Sequence, residues 1–127
     1  MASKHSNMTN VRWIASRSYS VKRGGDKQAQ TVLVALTAPR KLRKSEYPIR
    51  TELSLYGCVV QTGAVHTRRI VPGRDSAEAL SHSLLAIDRF LTTISKSNEI
   101  RSLDGKPFDP KVDGLFVGPI GREYKKK

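Results

Sequence analysis

Between Asp75 and Ser95 the sequence carries the pattern that most limits its shape. Apolar residues recur at Ala77, Leu80, Leu84, Ile87, Leu91 and Ile94, in steps of three and four. Leu85 and Phe90 widen the stripe, while Glu78, His82, Asp88, Arg89 and Lys96 lie off it. That spacing marks one face of an α-helix. Asp75 is a strong N-cap, and Glu78 three residues later completes a capping-box pattern. A helix of about twenty residues, over about 76–95, is predicted. Its single apolar stripe has to be buried against another element, and the rest of the chain reads as strands.

Val11 to Lys22 places Trp13, Ala15, Tyr19 and Val21 on one face, interrupted by Arg17, with Arg12, Ser16, Ser18 and Lys22 mostly on the other. Gly24-Gly25-Asp26 supplies a tight turn, and the β-branched and apolar run Thr31 to Thr37 suits a covered strand. These predict a first hairpin. Ala38 to Pro48 predicts a loop bracketed by Pro39 and Pro48. Ile49 to Tyr56 alternates cleanly and predicts a third strand that Gly57 breaks. A fourth runs from about Cys58 to Val71, loosened at Gly63 by a bulge or a turn.

The expected architecture is α+β. A four-stranded antiparallel sheet, over about residues 11–71, packs on the one helix. The face of the sheet away from the helix, carrying Arg12, Arg50, Glu52 and Arg68, is left to solvent or to a partner. Residues 1–10 predict a disordered start, and 11–121 a single domain. From Ile100 the chain predicts an irregular C-terminal arm, in which Leu115, Phe116 and Val117 form a short strand or an apolar flap. A solvated basic tail is expected over 122–127.

The run from Arg69 to Leu91 passes through Gly73, Arg74, Asp75, Ser76, Ala77, Glu78, Ala79 and Leu80. Together with the preceding VLVALTAPRK, it resembles small bacterial domains of unknown function in which a sheet leads through a Gly-x-Asp-Ser-x-x-Ala-Leu turn into one long helix. The likeness covers about residues 30–95. It implies a sheet followed by a helix and brings no activity, substrate or site residues with it.

Charge is the one extreme property: 23 Lys and Arg against 11 acids, a net charge of +12. Residues 1–74 hold 14 of the cations and three acids (Asp26, Glu46, Glu52), whereas 75–127 hold nine and eight. Such a field attracts anions and steers acidic partners. The loop carries Arg40, Lys41, Arg43 and Lys44 against Glu46 alone, and Arg68, Arg69 and Arg74 precede the helix. If the fourth strand ends beside the loop, these residues and Arg50 form one binding patch on the sheet side. Guanidinium groups suit it, because they make paired hydrogen bonds to carboxylate or phosphate.

Catalysis finds little support in the sequence. His5, His66 and His82 are the only histidines, and no Cys/His/Asp cluster has zinc-ligand spacing. His66, Asp75 and Ser76 invite a triad, but a strand histidine and a capped helix start explain them better. Asp109 and Asp113 fall in a polar loop. Gly24-Gly25 and Gly118-Pro119-Ile120-Gly121 lack the setting of a phosphate loop. Neither metal nor cofactor is called for. With one cysteine, Cys58, no intrachain disulfide can form, and a small buried strand residue is expected there. No apolar run approaches the ~18–20 residues that span a bilayer, and a cytoplasmic location is expected.

The expected function is therefore binding without catalysis. One reading is an acidic protein partner, neutralised as an immunity protein or phage-encoded inhibitor would do it. The alternative is a nucleic-acid module that contacts the phosphate backbone. Eight aromatic residues without interleaved Phe/Tyr pairs weaken the latter.

Overall fold

The computed structural model describes residues 11–47, 55–109 and 113. The expected disordered start, most of the predicted third strand with Arg50 and Glu52, the 115–117 segment and the basic tail lie outside them. Within them the protein is α+β, with one helix packed on an antiparallel sheet. The sheet has six strands where four were expected.

In chain order the elements are β1 (Trp13–Arg23), β2 (Gln30–Thr37), β3 (Arg40–Lys41), β4 (Tyr56–Thr62), a 3-10 turn (Val65–Thr67), β5 (Arg69–Gly73), α1 (Ser76–Ser95) and β6 (Asn98–Ser102). β1 and β2 form the expected hairpin, and Gly25, at a φ of 91°, turns it. The loop from Ala38 is partly a strand: Arg40 and Lys41 of β3 pair with Gly57 and Tyr56 of β4. β2 meets the same strand at Val60 and Thr62. Because β5 holds the other edge of β4 from Tyr56 to Val60, β2 and β3 share one lane. At the break between them the Thr37 hydroxyl accepts the Val59 N–H at 2.9 Å.

Gly57 does not break a strand. It sits buried inside β4, where a Cβ would press on Leu42 and Ile70 side chains at 2.8–2.9 Å. The single fourth strand expected over Cys58–Val71 is a hairpin, β4 and β5, with Gly63 at a φ of 108° in its turn. The irregular arm also begins later than expected. Residues 98–102 form β6 and pair with Tyr19–Arg23 of β1. The lanes therefore run β5, β4, β2 with β3, β1, β6, and α1 joins the two outer ones.

The core lies between sheet and helix. Tyr19, Val34, Leu36, Cys58, Val60 and Ile100 meet Ala79, Ile87 and Leu91. The expected stripe faces the core through Ile87 and Leu91, which are fully buried, and through Leu80, Leu84, Phe90 and Ile94 packed against it; Ala79, Ser83 and Asp88 are buried as well, whereas Ala77 is exposed. Ser83 is tolerated there because its hydroxyl donates to the Ala79 carbonyl at 2.7 Å. On the opposite face Trp13 pairs with Thr37 and Ala15 with Leu36, so a bulge separates the two residues onto different faces. The centre of that face is not left to solvent, since Ala35, Val59 and Gln61 are also buried.

The helix start comes close to the sheet at Gly73. A Cβ there would lie 2.7 Å from the Ala79 Cα, backbone that cannot yield. Gly73→Ala is expected to destabilise the fold by roughly 2–4 kcal/mol in urea titrations. Gly24→Ala, where a Cβ meets nothing within 4 Å, should stay within about 0.5 kcal/mol of the parent. Equal effects at the two positions would refute the close approach.

Candidate functional site

The loop after β2 is organised around one carboxylate. Glu46 takes a two-pronged hydrogen bond from the Arg40 guanidinium, one prong of 2.8 Å, and the Arg43 backbone N–H at 3.0 Å. Only 6% of its side chain is exposed. Arg40 is therefore engaged with its own loop, and Lys41, Arg43 and Lys44 are left pointing into solvent. The Arg40 hydrogen bond, aided by the Arg43 N–H and opposed by burial, holds the Glu46 carboxyl down at about 2 from an ordinary 4.5.

The capping box takes an altered form. The Asp75 carboxylate accepts the Glu78 N–H at 2.8 Å, as capping requires. Glu78 reaches past the cap residue, accepting from the Arg74 N–H at 3.2 Å and from Arg74 Nε at 3.3 Å. Arg74 is thus paired on the helix. Arg68 occupies the face away from the helix, its guanidinium 5.2 Å from the Trp13 ring centre and its Nε donating to Gln61 at 2.7 Å. That places it where expected and commits it to the packing of that face.

The seven described members of the eight expected binding residues are spread along β4 and across its two neighbours. Lys41 and Gly73 both flank Tyr56, so the loop and Arg74 meet at one end of β4, two lanes or roughly 10 Å apart. Arg69 flanks Val60 at the other end, roughly 13 Å along the strand. Arg50 lies outside the described residues. A residue the sequence left aside changes the picture: Arg89 of α1 shares with Arg69 the walls of two surface grooves between β5 and the helix. Nothing in the helical spacing tells which flank of α1 will meet β5, so the pairing of these arginines has no sequence signal.

His66 lies in the 3-10 turn and not in a strand. It follows β4, whereas Asp75 and Ser76 follow the far end of β5, so the three do not converge. His82 Nδ1 donates to the Pro72 carbonyl at 3.0 Å. Cys58 is fully buried beside Ser83, and burial pushes its thiol up. Among the described residues no group of three or more His, Cys, Asp or Glu could hold a metal ion, and no helix is long and apolar enough to cross a membrane.

Because the folded pKa of Glu46 is depressed, its contribution to stability is present above about pH 4.5 and is lost as pH falls toward 2. Urea titrations at pH 6 and pH 3 should show the parent losing more stability on acidification than Glu46→Gln. Equal losses would show that the Arg40 pair contributes nothing to the acid sensitivity. No family model, curated protein or solved structure matches the chain.

Proposed function

We propose that this protein is a non-enzymatic binding protein that recognises an acidic protein partner, in the manner of a small inhibitor or immunity-type protein. One observation carries the reading. On the β4–β5 flank the acids among the described residues are already committed: Glu46 to Arg40, Glu78 to Arg74 and to the chain before the helix, Asp75 to the cap, and Asp88 to the interior. Lys41, Arg43, Lys44, Arg69 and Arg89 on the same flank are exposed and enter no ion pair among the described residues. That leaves a cationic surface with fixed geometry.

A protein partner is favoured over nucleic acid by what lies between the cations. The grooves beside Arg69 and Arg89 include Ile70, Val71, Leu85 and Phe90, a floor for apolar side chains that a phosphate backbone cannot use. Among the described residues the aromatic side chains are buried or half-buried, which leaves little ring surface for stacking on bases.

Affinity capture from the native cells, run with and without nuclease treatment, should recover one acidic protein at one-to-one stoichiometry in both arms. Recovery of nucleic acid alone would overturn the reading. The K41S/R43S/K44S variant should lower capture while shifting stability by no more than about 0.5 kcal/mol per site. Lys22→Ser with Lys27→Ser, on the distant hairpin, should leave capture unchanged. An equal loss from that pair would reduce the effect to net charge.

A further inference from the structure

The two outer edges of the sheet are treated differently. Beyond β6 the chain folds back on itself: Ser102 N–H donates to the Lys106 carbonyl at 2.8 Å and Phe108 N–H to the Ile100 carbonyl at 2.9 Å. Arg101 there bridges to Pro107. Beyond β5 no strand is added among the described residues. That edge is nevertheless a poor template for another strand. Pro72 has no N–H to give, and its carbonyl is taken by His82. Recognition along it therefore falls mainly to side chains.

Those side chains are arranged for it. Two open grooves, of about 530 and 600 Å³, meet at Arg69, Ala86 and Arg89. One runs over Val71 and Leu85 toward Tyr47, at the end of the loop that bears Lys41 to Lys44. The other runs over Thr62 and Phe90. Both are too open to bury most of a small metabolite, as an enclosed pocket does. An extended segment lying along the seam would pass both grooves with the two arginines at its middle.

We infer that the seam between β5 and α1 is where the acidic partner docks, through an extended segment whose carboxylates meet Arg69 and Arg89 while flanking apolar side chains enter the two grooves. This rests on the proposed reading of the protein as a binder of an acidic protein. Charge complementarity selects the occupant: two exposed guanidinium groups share walls with apolar surface, and the acids of α1, Glu78 and Asp88, are paired or buried. A bidentate guanidinium–carboxylate contact that flanking apolar side chains shield from water on docking is stronger than the same pair in open water.

The probe is a capped hexapeptide, Ala-Leu-Glu-Glu-Leu-Ala, titrated into the full ¹⁵N-labelled protein and followed by amide shifts. The amides of Ile70, Val71, Ala86 and Arg89 should move most. R69S/R89S should weaken binding about tenfold or more, the scale of lost charge-assisted hydrogen bonds. K22S/K27S should weaken it less than about threefold, and the Gln-for-Glu peptide should bind no better to the parent than the Glu peptide binds to R69S/R89S. Unchanged thermal unfolding of R69S/R89S separates lost binding from lost folding. Shifts confined to Lys41–Lys44, equal losses in the two variants, or no shift at millimolar peptide would overturn the inference. The broader reading has its own outcome. A captured acidic protein that still binds R69S/R89S leaves that reading standing, whereas capture of nucleic acid alone removes it.

Discussion

The helix can lie across this sheet only where backbone approaches backbone at Gly73. β5 ends there, the chain turns through Arg74 and Asp75, and the first turn of α1 comes back over the strand end, so that Ala79 occupies the space a side chain would need. Ala79 is itself fully buried. A small residue on each element lets the axis start close to the sheet, and the later spine residues, Ile87 and Leu91, then reach Leu36, Val60 and Cys58 at packing distance. The same placement sets which helix flank overhangs β5, and hence brings Arg89 to Arg69.

The helix was legible in the sequence because its information is local. The Asp75 cap, the steps of three and four and the length were all there to read, and the boundaries agree with the structure. Its orientation was legible in part. The expected stripe meets the core at Leu80, Leu84, Ile87, Leu91 and Ile94, but close packing at Gly73 also brings in the smaller residues Ala79 and Ser83, and Asp88 comes in with them. β6 was missed for the opposite reason. Asn98-Glu99-Ile100-Arg101-Ser102 has one apolar residue and no β-branched run beyond it. It is a strand because α1 delivers it beside β1, and only the pairing with Tyr19–Arg23 makes it one. Gly57 and Gly63 show the same ambiguity in miniature. Gly57 read as a break and is a close-packing site inside a strand, whereas Gly63 read as a bulge or a turn and is a positive-φ turn.

The charge map was legible as composition and not as geometry. Four of the eight expected binding residues already have internal or structural roles or lie outside the described residues: Arg40 with Glu46, Arg74 with Glu78, Arg68 on Trp13 and Gln61, and Arg50. An arginine next to an acid at the right spacing is as much a loop strut as a contact surface, and net charge cannot separate the two. What the fold adds is position. It leaves Lys41, Arg43 and Lys44 at one end of the β4–β5 flank and unites Arg69 with Arg89 across an apolar seam near the other.

β1 leaves the ribosome well before its neighbour β6, with about eighty residues between Tyr19 and its partner Ser102. The hairpins of β1 with β2 and of β4 with β5 close locally, but the outer side of Tyr19–Arg23 stays open until the helix has crossed the whole sheet. Until β6 is made the nascent chain thus displays a bare strand rich in Arg and Ser, and that late lane is what takes the edge out of reach of other chains.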